Sequence, residues 1–476
     1  MSRLRNIGIL VAVILPSFMT ALDSTVVNVA LPQIQRELGL DEPGLKWVAA
    51  IYPLTHASSL LFGGHLTDRK GRRLTLTVGV VIFTLSSVLC SASDQAGALI
   101  AGRGLQGAGA ALISPASLAV LSHDLPPRSR SGGIAALTVA LASALASGPV
   151  LSGLITEHLG WNWLFTINIP VGVVCLIFCV AYVPSRVSSP ESRVADVPTT
   201  PLRMVAFFCL PLGGLSYCLI EAPRDGFSAP HVAIVGALSL LSVLSLPVLA
   251  MKPSSRQRST VRVLFRQRAF TGGIISQLLW GLGVSGVYFF TTLFMQDVLR
   301  LSPTSAGLMF TPVALTLLMT APFVTYLARR WGDGRVSAAG LFLVSVGLLL
   351  VAQGSGRHDA LALIPGLAAI GVGSALAVPL TTRALESSPA GLSGIAAGLF
   401  SATREASGVF GIAVVGLIVT SVQRSVSSTN ADSEHAFLMG YQTGLCTAAA
   451  LVATGVPIAL WALRKHVCPQ HGCCAA

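Results

Sequence analysis

The stretch IGILVAVILPSFMTALDSTVVNVAL, residues 7–31, decides the fold. An α-helix needs about twenty apolar residues to cross ~30 Å of hydrocarbon, and this run is long enough while carrying a single charge, Asp23, near mid-depth. Arg3 and Arg5 precede it, as in a secretory signal, but the run is too long for one and further apolar runs follow. It reads as a retained first span, loosened by Pro16 one to two turns before Asp23.

Outward from this run the pattern repeats. The 476 residues are 53% hydrophobic and 11% charged, against roughly 25% charged in an ordinary globular chain, and the mean hydropathy is +0.74. So few charges cannot coat a water-facing surface, so most of the outer surface faces lipid. Runs of about twenty apolar residues give fourteen spans, the least regular being 203–222, which ends in Glu221, and 361–382, which prolines and glycines break. The expected fold class is an all-α polytopic membrane protein. The net charge of +12 does not mark a nucleic-acid binder, because the basic residues sit in short gaps between apolar runs. Six of the nine cysteines lie within apolar runs and read as small buried hydrophobes. Cys468, His471, Cys473 and Cys474 share a short terminal segment that reads as a loose cytosolic tail, so no metal is expected.

Arginine and lysine are retained on the cytoplasmic side. With the N-terminus inside, 23 of the 31 basic residues fall in inner segments and six in outer ones (Arg36, Lys46, Arg224, Arg300, Arg357 and Arg424), while Arg103 and Arg404 fall within spans. Both termini are therefore expected to be cytoplasmic, in a multi-pass protein of the cell membrane. The longest gaps, about 184–202 and 252–268, are Ser/Pro/Arg-rich and flank a pair of spans. They divide the chain into a six-helix bundle over 1–183, inner loops and two inserted helices over 184–268, a second six-helix bundle over 269–463 and a tail over 464–476. A weak repeat agrees: Gly64-His-Leu-Thr-Asp68-Arg69-Lys70-Gly71-Arg72-Arg73 is echoed by Tyr326-Leu-Ala-Arg329-Arg330-Trp-Gly332-Asp333-Gly334-Arg335 in the matching inner loop.

The stretch Gly64 to Arg73 resembles the inner-loop motif of the major facilitator superfamily. With Leu22-Asp23-Ser24-Thr25-Val26-Val27-Asn28-Val29-Ala30-Leu31-Pro32, Arg103-Gly-Leu-Gln106-Gly107, Gly148-Pro149-Val-Leu-Ser-Gly153 and Trp161-Asn-Trp163-Leu-Phe165-Thr-Ile-Asn168-Ile-Pro170, the chain is similar to the fourteen-span drug:proton antiporter branch. Ala144 and Ser152 stand where the antiporter motif has glycine. The resemblance implies the major facilitator fold, with two six-helix halves and two inserted helices. It also implies export of amphipathic or cationic drugs or antibiotics by alternating access, in exchange for protons.

The residues carry readings of their own. A bare carboxylate at the depth of Asp23 costs at least about 2.5–3.5 kcal/mol on insertion scales, so it should be paired, hydrated or protonated. Asp23 is therefore read as the first candidate proton carrier; the alternative is a structural aspartate satisfied by Thr20 or Asn28. Arg103, Gln106, Gly107 and Ala110 share one helix face, and the small residues allow close approach, so Arg103 points into the bundle, where it can lower the pKa of a nearby carboxylate or hold a water chain; the resemblance implies a part in proton coupling. The alternative is an arginine reaching back to the outer headgroups. Glu405 is the second candidate proton carrier; its neighbour Arg404 lies ~100° away around the helix and need not pair with it. Gly148 and Pro149 read as a kink or flexible seam in the fifth span. Asp68, Arg69, Gly71 and Arg72 read as a clamp on helix ends when the inner mouth is closed, although topology alone would explain the arginines. His56 reads as a hydrogen-bonded core histidine outside the site. Trp280, Phe289, Phe290 and Met295 could line an apolar site but read as lipid-facing or core, and no substrate-binding residue is assigned.

Enzymatic chemistry has no support: there is no P-loop and no H-E-x-x-H. An importer on the same fold and a channel are the competing classes, the channel weakened by the lack of a filter loop. No cofactor is expected. The expected partners are a small amphipathic substrate, protons and the lipid bilayer, with no nucleic acid and the chain a monomer.

Overall fold

The computed structural model describes residues 2–185, 201–251, 263–388, 393–427 and 433–463. The tail with Cys468, His471, Cys473 and Cys474, and most of both long inner loops, lie outside these residues.

Among the described residues the chain makes fourteen helical passages, as the apolar runs predict. They are α1 (Ser2–Leu38), α2 (Glu42–Lys70), α3 (Arg72–Ser91), α4 (Ala96–Asp124), α5 (Pro127–His158), α6 (Trp163–Tyr182), α7 (Pro201–Asp225), α8 (Pro230–Met251), α9 (Arg268–Val298), α10 (Pro303–Trp331), α11 (Asp333–Ser355), α12 (Ala360–Glu386), α13 (Ser393–Ser427) and α14 (Ser433–Ala462). Eleven are long and apolar enough over their described residues to cross a bilayer; α2, α7 and α8 are the others. The polar residues of α2 that lower its hydropathy, Lys46, His56 and Ser58, are buried against other helices.

The repeat glimpsed in the inner loops extends to the packing. In the first half α1 packs on α5 and α6, and α4 packs on α2 and α3. In the second half α9 packs on α13 and α14, and α12 packs on α10 and α11. Each half makes the turn between its second and third helices on a glycine with positive φ, Gly71 at +96° and Gly332 at +87°, a backbone that side chains with a Cβ rarely adopt.

The halves meet along two seams, α2 against α13 and α5 against α10. Helix α5 runs through Gly148 and Pro149, the pair read from sequence as a kink or flexible seam. The pair supplies close approach: a Cβ on Gly148 would lie 2.0 Å from Thr25 Oγ1 of α1, and a Cβ on Gly307 of α10 would lie 2.3 Å from the Pro149 carbonyl. Of the two departures from the glycine motif, Ala144 is fully buried and Ser152 donates a hydrogen bond to the Val26 carbonyl of α1. Phe289, Phe290 and Met295 are buried in the core cluster, with Trp280 packed against it, so the core reading holds.

Helix α7 lies across the α2–α13 seam. Trp47 Nε1 of α2 donates to Glu221 of α7 at 2.8 Å, and Arg224 of α7 pairs with Asp41 just before α2 at 2.6 Å. Toward α13 its contact is apolar, Ile220 with Val409 and Ala413.

Candidate functional site

Asp23 is 1% exposed and draws its partners from three helices. Arg103 of α4 donates to Oδ2, while Gln106 of α4 and Asn168 of α6 donate amide hydrogens to Oδ1 at 3.2 and 3.0 Å. Gln106 is itself held by Ser87 of α3, donating to its hydroxyl at 2.9 Å, and accepts from Arg103 at 3.0 Å. The partners are not those that a local structural aspartate would have used: Thr20 spends its hydroxyl on the Ser17 carbonyl, and no hydrogen bond joins Thr20 or Asn28 to Asp23 among the described residues.

Arg103, also 1% exposed, does not reach for the headgroups. Its guanidinium lies 4.5 Å from the centre of the Tyr52 ring of α2, an arrangement in which a ring face stabilises a cation. Gly107 makes this possible, since a Cβ there would lie 2.3 Å from the Tyr52 carbonyl. Guanidinium and carboxylate thus neutralise each other in a site that offers no bulk water, and removing either strands the other. A crevice of about 40 Å³ between α1, α5 and α6 reaches Asp23 and Asn168. That is room for about one water, which could carry a proton to the carboxylate.

The second carboxylate sits elsewhere. Glu405 of α13 faces α2, with His56 Nδ1 3.7 Å from its Oε2. Arg404, which the helical spacing did not require to pair with its neighbour, does so: Nη2 donates to Glu405 Oε1 at 2.9 Å. The two carboxylates do not form one cluster. Tyr52 stands between them, its ring against Arg103 on one side and 6.0 Å from the His56 ring on the other.

At the inner turn the residues separate. Asp68 and Arg69 are exposed, and among the described residues Asp68 makes no ion pair. Arg72 instead grips Asp124 at the end of α4 with two bonds, 2.5 and 2.7 Å, a partner that the sequence did not disclose. The second half has the same clamp with the charges exchanged: Asp333 beside Gly332 pairs with Arg383 of α12 at 2.6 Å. Arg72→Asp is expected to cost on the order of 2 kcal/mol, because Asp124 is nearly buried. The exchange Arg72→Asp with Asp124→Arg should recover most of the loss in thermal unfolding of purified protein. A double variant no better than the single would show that the clamp depends on more than charge pairing.

Every hydrogen bond or ion pair that joins the two halves among the described residues lies in the outer half or at mid-depth. Lys46, 1% exposed, pairs with Glu42 at 2.6 Å and donates to Thr420 of α13 at 3.0 Å, and Thr420 in turn donates to Glu42. Lys46 is therefore an interior charge, not the outer topology marker that its position suggests. Gln296 of α9 donates to the Val29 carbonyl of α1 at 2.7 Å, and the Thr304 amide of α10 donates to Glu157 of α5 at 2.9 Å. The bonds of Lys46, Thr420 and Glu157 thus join the halves at the end of the bundle opposite the Gly71 and Gly332 turns.

Comparison with known proteins bears on what such an arrangement does. The sequence model described as Major Facilitator Superfamily matches residues 13–412. Over 412 residues the chain is 33% identical to "Multidrug resistance protein Stp" of Mycobacterium tuberculosis (strain ATCC 25618 / H37Rv), covering 86% of this chain and 75% of that one. It is 30% identical over 425 residues to the "Tetracenomycin C resistance and export protein" of Streptomyces glaucescens, covering 87% of this chain and 76% of that one. In three dimensions it superposes on a crystal structure of "peptide transporter POT in complex with sulfate" with a TM-score of 0.68 and 16% identity, covering 96% of this chain and 95% of that one, a likeness of fold alone.

Proposed function

The chain belongs to the Major Facilitator Superfamily, and from that membership we propose that it is a proton-coupled antiporter that exports amphipathic or cationic drugs or antibiotics across the cytoplasmic membrane by alternating access. The observation that carries the coupling is the buried Asp23, held by Arg103, Gln106 and Asn168 in a site where leucine would be far cheaper. A carboxylate placed so can take a proton in one arrangement of the halves and lose it in another, with Arg103 competing for its charge. About 100 mV supplies roughly 2.3 kcal/mol per charge moved, before any pH gradient is counted.

In this reading residues 1–183 and 269–463 are the moving halves, α7 and α8 the inserted pair, and 464–476 a cytoplasmic tail. Gly148 and Pro149 support the outer closure through their fit to α1 and α10. Asp68, Arg69, Gly71 and Arg72 belong to the opposite closure: Asp68 is exposed here, where the outer side is shut, and finds its partner when the inner mouth closes. The test is a substrate panel in inverted vesicles with a pH-sensitive dye. Proton release on substrate addition is the expected result; uptake of a compound down its own gradient without a proton signal would favour a channel.

Both termini are placed in the cytoplasm. Cys468, Cys473 and Cys474 should then resist an impermeant thiol reagent in intact cells and react after lysis. Rapid labelling of intact cells would reverse the orientation.

A further inference from the structure

Resting on the antiport reading, the α2–α13 seam carries a second feature that the Asp23 cluster leaves unused. The mid-depth contact there is between His56 and Glu405, one group from each half, both largely buried. Ser114 of α4 spends its hydroxyl hydrogen on the Ala110 carbonyl at 3.0 Å, which leaves its oxygen to accept from His56 Nε2 at 3.3 Å. With the Ser114 hydrogen on the Ala110 carbonyl, the assigned tautomer carries its hydrogen on Nε2, and in a neutral imidazole Nδ1 is then a bare lone pair. That nitrogen is buried, has no hydrogen-bond partner and lies 3.7 Å from Glu405 Oε2.

A lone pair and a carboxylate oxygen that face each other away from water repel unless a proton lies between them. With the proton on Nδ1 the pair is imidazolium and carboxylate; on Oε2 it is neutral imidazole and carboxylic acid. Either way the pair has gained one proton from water and its net charge has risen by one. The groups around it are few. On α13 the exposed Arg404 holds Glu405 Oε1 and opposes the added charge. On α2 Tyr52 sets its ring against His56, with Arg103 of α4 and Asp23 of α1 beyond it. On α7 Glu221 is engaged by Trp47 toward the outer end. Among the described residues no other carboxylate lies within ion-pair distance of His56.

We propose that His56 and Glu405 form a single proton site shared across the seam between the halves, filled when α2 and α13 close on each other and emptied when they part. His56 is thereby a proton-handling residue of the cycle, distinct from Asp23. Because the two groups ride on different halves, the rocking motion itself makes and breaks the site.

The test uses the full chain in lipid nanodiscs with isotope-labelled histidine, the His56 resonance being identified by its loss in His56→Gln. Removing the anionic partner with Glu405→Gln should lower the titration midpoint of His56 by about one pH unit or more. Glu405→Ala, which leaves no amide to rearrange, must give the same fall. An unmoved midpoint in both variants overturns the shared site. In inverted vesicles with ethidium as probe, His56→Gln should lower the number of protons released per ethidium, and an unchanged ratio overturns its role in the cycle. A wild-type protein that moves ethidium without releasing protons defeats the antiport reading and the transport role of His56 with it. A proton-releasing wild type with a fixed midpoint defeats the shared site alone.

Discussion

Asp23→Asn is expected to reduce gradient-driven export to the level of empty vesicles, while exchange of substrate between equal pools persists because exchange needs no net proton transfer. Asparagine keeps the size and can still bond Gln106 and Asn168, so the fold should survive, but it cannot bind and release a proton. Arg103 gives the complementary result. Arg103→Ala leaves a carboxylate buried without its cation, at a cost of about 3–5 kcal/mol, and should lower both stability and transport. Arg103→Lys keeps charge but loses the planar fork, so an intermediate loss is expected. The decisive comparison is the double variant Asp23→Asn with Arg103→Leu, which strands no charge and should unfold at a higher temperature than Arg103→Ala alone. Full proton-driven accumulation by folded Asp23→Asn protein would remove Asp23 from the coupling role.

Locking the outer side should be as severe and, unlike a point substitution, reversible. Glu157 of α5 and Thr304 of α10 touch across the halves at the outer end. In a background with all nine native cysteines replaced, Glu157→Cys and Thr304→Cys bridged by a short bifunctional thiol reagent should stop transport entirely, and reduction should restore it. Alternating access demands this, since a protein unable to open outward cannot release its cargo. Gly153→Val attacks the same closure from the other direction. Any Cβ there would lie 2.4 Å from the Pro303 carbonyl, so the outer ends cannot seat and the outward-open arrangement should gain population. Undiminished transport in the bridged protein would mean that the α5–α10 contact does not gate.

The fold was readable in the sequence because hydrocarbon imposes a length: each apolar run had to be a helix, and the even count follows from the chain. Asp23 and Arg103 were readable for a related reason, as charges in runs that could have gone without them. Their neutral partners were harder. Gln106 falls on the face of Arg103 by helical spacing, but Tyr52 and Ser87 are of types common in any bundle, and nothing in their neighbourhoods says which helix will lie opposite. Asp124 looks like any acid at a helix end. Adjacent positions on a helix point ~100° apart, so the spacing left the pairing of Arg404 with Glu405 open; the pairing arises from the reach of the arginine side chain, which helical geometry does not encode. Lys46 was misplaced because a lysine near the end of a span is ordinarily a marker of the interface, and its burial comes from α13, more than 350 residues away in sequence.

Helix α7 gives the inserted pair a mechanical character. Its bonds to the first half are polar and directional, Trp47 to Glu221 and Asp41 to Arg224, beside an apolar cluster in which Ile220 meets Ala50 and Leu54 of α2 together with Val409 and Ala413 of α13. Directional bonds resist rotation; contacts between aliphatic surfaces keep most of their free energy when one surface slides over the other. Helix α7 is thus fastened to the first half by bonds that resist rotation, and its apolar contact with α13 is of a kind that tolerates sliding.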